Sequence, residues 1–214
     1  MDEEISIINT NSRNERIKNF FINNKKKIII SISAFLIILI SFFIYSSIKK
    51  KNKLVLADKY NLVTSELTQI NQLEIQDQLL DIIDEEDETY SVLALYFLID
   101  NKIIEDEEKV NTLFDKVINE IKLEKEIKNL IIYKKALFNS ETENENILLE
   151  ILNPVINSDS LWKSHALYLM GEYFYFRNEN KKAKEFFLEI VDLESSNQKI
   201  KLQTQQRLQS DFTE

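Results

Sequence analysis

No cysteine occurs in this chain of 214 residues, and glycine, proline and histidine occur once each. Without cysteine there are no disulfides, thiolate metal sites or thiol nucleophiles, and no acylated N-terminal cysteine of the kind a bacterial lipoprotein requires. Gly171 and Pro154 stand alone, so little supplies the positive backbone angles and fixed turns that β-hairpins, sheets and phosphate-cradling loops use. An all-α fold is expected. A lone His165 has no partner for a histidine metal cluster, and any metal would need oxygen ligands alone. With no nucleophile beside a base, no metal cluster and no glycine-rich loop, no catalytic residue, metal, cofactor or small-molecule substrate is expected, and the chain does not read as an enzyme.

What the chain has is a 44% hydrophobic content, enough for a real core. Its net charge of -9 is unevenly divided: from residue 60 onward 31 Asp and Glu face 16 Lys and Arg, a balance of -15. A domain so acidic repels phosphate backbones, so nucleic acid is not an expected partner. The run Asp84-Glu-Glu-Asp-Glu88 lacks the alternating ligands and turn glycine of a calcium loop and reads as a solvated linker.

Residues 28–48, which begin with Ile28 and end with Ile48, are 21 positions without a charge. At about 1.5 Å per residue they reach roughly 30 Å, the thickness of a bilayer core. Lys25, Lys26 and Lys27 precede the run and Lys49, Lys50, Lys51 and Lys53 follow it, placed to reach lipid headgroups, with Tyr45 as an interfacial ring. The run is too long for a signal peptide and ends without a small-x-small cleavage site. A permanent single-pass anchor is expected. Six positive residues before it, Arg13 among them, and five after leave its orientation undecided by charge.

Beyond the anchor, apolar residues recur at helical spacing. Val110, Leu113, Phe114, Val117, Ile118 and Ile121 form one stripe; Ala166, Leu169, Met170, Tyr173 and Phe174 form another; Ala183, Phe186, Phe187, Ile190 and Val191 form a third. Residues 92–99 are apolar throughout, which predicts a helix covered by neighbours on most of its surface. Breaks rich in Asn, Asp and Ser fall at residues 84–88, 101–106, 140–144, 157–160, 178–180 and 195–197. Pro154, inside an apolar run, is expected to bend or end its helix, and residues 198–210 read as a final polar capping helix. Helix pairs then start near residues 54, 89, 123 and 160, a spacing of about 35 residues that is the period of tetratricopeptide repeats.

The last pair matches that repeat best. Leu167, Met170, Gly171, Phe174, Ala183, Phe187 and Ile190 stand at its large, large, small, aromatic, small, aromatic and small-to-medium positions, although Leu167 replaces tryptophan, Ile190 alanine and Ser195 the closing proline. Tyr90, Leu93, Ala94 and Phe97 repeat the first-helix spacing. The expected architecture is a short N-terminal tail (1–27), a transmembrane helix (28–48) and a tetratricopeptide-like stack of antiparallel helix pairs (54–212).

This order of features, with Tyr90-Ser-Val-Leu-Ala94, the Leu152-Asn-Pro154 turn into Trp162 and Ala166, the Gly171 hairpin and the Gln206-Arg207-Leu208 tail, resembles the YfgM-type ancillary subunit of the bacterial SecYEG translocon. The resemblance implies an inner-membrane protein with a cytoplasmic N-terminus and a periplasmic C-terminal domain. Its implied partners are translocon subunits, a periplasmic foldase and newly translocated client chains, for which it would serve as scaffold or chaperone. The competing reading is a scaffold for another envelope assembly, such as cytochrome maturation, division or secretion machinery. In tetratricopeptide stacks the first helix of each pair lines a groove, and the Gly171 register assigns His165, Tyr168, Glu172, Tyr175 and Phe176 to it as partner-binding candidates. Tyr175 and Phe176 could equally pack on the next helix, and a lone helix histidine is more often structural than catalytic.

Overall fold

The computed structural model describes residues 15, 16, 18–67 and 71–212. Most of the expected N-terminal tail, including Arg13, lies outside the described residues. Among those residues the chain is helical and contains no strand. It divides into two compact units, Met1–Ala57 and Asp58–Glu214.

The first unit is dominated by helix α1 (Lys25–Ser65), whose 41 residues extend on into the second unit. None of its most apolar window is buried, and it is long and apolar enough to cross a membrane. The apolar run of residues 28–48 is therefore only part of a longer helix. The helix pair expected to start near residue 54 has no separate first helix, because residues 49–65 hold no glycine or proline and their lysines, leucines and alanine favour continuation of α1.

The second unit comprises the last turns of α1 followed by α2 (Gln72–Asp84), α3 (Tyr90–Asp100), α4 (Glu107–Glu120), α5 (Lys125–Asn139), α6 (Glu145–Ile156), α7 (Lys163–Phe176), α8 (Asn180–Asp192) and α9 (Gln198–Asp211). From α2 to α9 each helix packs on the next, and α5 also touches α7, which touches α9. Helix starts follow the polar breaks. Asp106 accepts hydrogen bonds from the amides of Glu108 and Lys109, Asn144 from Asn146 and Ile147, and Asn197 from Lys199 and Ile200, so each satisfies donors that a first helical turn leaves open. Helix ends do without glycine. Glu86, Lys102 and Asn178 adopt left-handed backbone at φ 53°, 52° and 60°, and the amides of Ile103 and Glu179 then donate back to the carbonyls of Leu98 and Phe174. Scarcity of glycine thus raises the cost of these turns without preventing them.

The amphipathic stripes form the core. All six residues of the α4 stripe are buried, and so are all seven repeat-position residues from Leu167 to Ile190, which lie on α7 and α8, the most extensively packed pair. Fully burying a side chain such as Phe114, Phe174 or Phe187 stabilises by about 1.5–3 kcal/mol. Helix α3, apolar nearly all round, packs between α2 and α4 and more extensively on α2, with Leu93 left partly exposed. Its buried Ser91 hydroxyl donates to the Ile82 carbonyl at 3.0 Å. Pro154 sits in the last turn of α6, which continues only to Ile156, so the missing amide falls where the ladder is about to stop.

Candidate partner-binding groove

Contacts between α5 and α7 leave an open cleft of about 670 Å³. Tyr133 and Leu137 line it from α5, Ser140 and Glu141 from the following turn, Tyr168, Leu169, Glu172, Tyr173 and Phe176 from α7, and Arg177 closes the series. Three of the five residues assigned from sequence, Tyr168, Glu172 and Phe176, therefore share one cleft. They lie at four-residue spacing on α7, which places them on one face of the helix. Phe176 is 74% exposed, a large aromatic ring offered to solvent.

The other two point elsewhere. His165 belongs to an aromatic cluster with Trp162, 4.9 Å away, and Tyr133, 5.9 Å away, and Tyr133 in turn stacks on Trp162. Its Nδ1 is buried without a hydrogen-bond partner, and burial lowers its pKa below the ordinary 6.5, with the Leu161 backbone pulling the other way to a lesser extent. An imidazole in this setting is neutral at pH 7 and has no orienting carboxylate. Tyr175 turns towards α9: its ring lies 5.7 Å from that of Phe212, and the Arg207 guanidinium covers it at 4.5 Å.

Glu172 is already engaged. Arg207 of α9 donates to it through Nε at 2.9 Å and Nη2 at 2.5 Å, and through Nη1 to Asp211 at 3.0 Å. A bidentate guanidinium fork fixes both partners, ties α7 to α9 and cancels the Glu172 charge at the cleft wall. Burial first, and then Glu172, push the Tyr168 hydroxyl up to about 12, so it stays protonated across the physiological range.

A second cleft of about 390 Å³ separates α3 from α5, lined by Glu88, Thr89, Val92, Leu93, Leu123, Glu124 and Ile127. The sequence assigns neither side of the α3/α5 cleft and no α5 residue of the α5/α7 cleft, since only the spacing of about 35 residues marks the α5 helix pair. A signal was present: 35 residues before Tyr168, Glu172 and Phe176 stand Tyr133, Leu137 and Glu141, all lining the same cleft. A larger cleft of about 730 Å³ among α4, α5 and α6, of mixed polar and apolar lining, is bounded by Glu107, Glu108, Lys135, Glu143, Ile147, Glu150 and Ile151 together with a reciprocal amide pair, Asn111 with Asn139, at 2.7 and 2.8 Å. Among the described residues no group of three or more His, Asp and Glu is arranged to hold a metal ion.

Compared with protein-family models, with curated proteins and with solved structures, the chain matches none.

Proposed function

We propose that this chain is a membrane-anchored, tetratricopeptide-like scaffold or chaperone whose α5/α7 cleft holds an extended or helical segment of another protein. The observation that carries the reading is the cleft itself: Tyr133, Leu137, Tyr168, Tyr173 and Phe176 give it an apolar, ring-rich wall contributed by two alternate helices. Rings of this kind provide contact area at low entropic cost. The α5–α7 and α7–α9 contacts, together with the 35-residue offset between cleft positions, support a repeat stack. The exposed apolar stretch of α1 supports a single-pass anchor, since such a surface in water would be an aggregation site.

The partner assembly we propose is the bacterial Sec translocon, with the domain on the periplasmic face of the inner membrane. That assignment rests on the order of features shared with the YfgM-type subunit. A photo-crosslinking residue at Phe176, combined with a topology reporter fused after Glu214, tests it in cells. Expected are a periplasmic reporter signal and crosslinks to translocon subunits or exported chains. A cytoplasmic signal rules out the translocon assignment, and crosslinks confined to another envelope complex assign the scaffold there instead.

A further inference from the structure

We infer that the segment held in this groove is cationic as well as apolar, so that lysine or arginine residues flank the aliphatic or aromatic side chains that enter the clefts. The inference rests on the groove reading above and adds the chemistry of the occupant.

Two features of the surface point to it. Along α3, α5 and α7, Leu93, Ile127, Leu137 and Phe176 are 39%, 40%, 42% and 74% exposed, and all four line one of the two clefts. Large apolar side chains gathered at concave sites mark a surface that gains by being covered. The charged groups beside them are mostly carboxylates. Glu88 and Glu124 line the α3/α5 cleft, Glu141 and Glu172 the α5/α7 cleft, and Arg177 is the one cation among the lining residues of either.

Their pairing sets the sign at each cleft. Glu172 is neutralised by Arg207, and the Arg177 guanidinium lies over the Tyr173 ring at 3.6 Å. Glu124 and Glu141 are exposed and enter no ion pair among the described residues. One unpaired carboxylate therefore stands at each apolar cleft, offset at the α5/α7 cleft by Arg177 and unopposed by any lining cation at the α3/α5 cleft, within a domain whose balance from residue 60 onward is -15. An anionic segment would be repelled both by the whole domain and by the rim of the α3/α5 cleft. A cationic one is steered in and then fixed by its apolar side chains.

The test uses the full-length chain in nanodiscs of zwitterionic lipid, with empty nanodiscs as the control for lipid binding. Short fluorescent peptides pair leucine with lysine, with serine or with glutamate, and binding is read by anisotropy at low and high salt. The leucine–lysine peptide is expected to bind about tenfold more tightly than the other two at low salt, with the advantage shrinking as salt screens it. Combined Glu124→Gln and Glu141→Gln should remove most of that advantage. Combined Leu137→Ala and Phe176→Ala should weaken every peptide that binds by about tenfold. Unchanged Trp162 emission reports that each variant is folded.

Equal binding of the lysine and serine peptides, both dependent on Phe176, overturns the charge inference and leaves the groove reading intact. Tighter binding of the glutamate peptide, or lysine-peptide binding indifferent to the two glutamines, overturns it as well. If no peptide responds to the Leu137 and Phe176 changes, the groove reading itself falls.

Discussion

Replacing Gly171 by alanine should destabilise the domain even though alanine is the better helix former. In an exposed helix interior the exchange would gain about 1 kcal/mol. Here the added methyl carbon would sit within 2.9 Å of Cδ1, Cε1 and Cζ of Phe187, well inside the roughly 3.5–4.0 Å of ordinary carbon contacts. The ring cannot easily retreat, because Phe187 is 0% exposed and lies 5.6 Å from the Tyr168 ring and 5.8 Å from that of Phe212. Overpacking costs about 1–3 kcal/mol, and three contacts under 3 Å place this one in the upper part of that range, about 2–3 kcal/mol, so after the helix gain the net loss is about 1–2 kcal/mol, or roughly 2–8 °C in Tm for a domain of this size. Trp162, the single tryptophan, stands near the start of the same helix and reports unfolding in a urea titration of the full chain in detergent. The midpoint should fall without a change in slope. Adding Phe187→Leu should cost less in the Gly171→Ala background than in the parent, because the smaller side chain vacates the contested volume. A neutral or stabilising Gly171→Ala would refute the close approach of α7 and α8 at this point.

Lowering the pH should destabilise the α5–α7 region through His165. Its folded pKa is depressed by burial, so the unfolded chain takes up the proton first, and stability is full above pH 6.5 and is lost as pH falls through the folded value. His165→Phe should flatten that part of the curve as read by Trp162 fluorescence, and an unchanged slope would sink the idea. Arg207→Met leaves Glu172, with a side chain only 17% exposed, without its partner and should cost about 1–3 kcal/mol; Glu172→Gln added to it should restore part of the loss, with hydrogen exchange in α9 as the local readout. Lys102→Gly relieves a left-handed lysine at φ 52° and should raise stability by up to about 1 kcal/mol in the same urea assay. The whole chain should resist carbonate extraction from membranes, whereas deletion of residues 28–48 should release it to the soluble fraction.

Much of the fold was legible because helical periodicity and capping chemistry are local. The α4 stripe, the capping residues Asp106, Asn144 and Asn197, and the start of α9 follow from spacing and side-chain type alone, with no knowledge of what they pack against. The continuity of α1 through residue 54 was not legible, since a change from lipid-compatible to polar composition leaves helix propensity unaltered. Of the candidate site, the α7 face carrying Tyr168, Glu172 and Phe176 was readable from repeat register. Its fate was not: Glu172 is taken by Arg207, 35 residues away, and Tyr175 by Phe212, while Tyr133 and Leu137 join the cleft from another helix. The sequence by itself determined which residues are helical, which faces are apolar and how the charge is divided. Only the tertiary structure decided which of those faces stay open and which charges stay unpaired, because that depends on contacts between helices far apart in the chain.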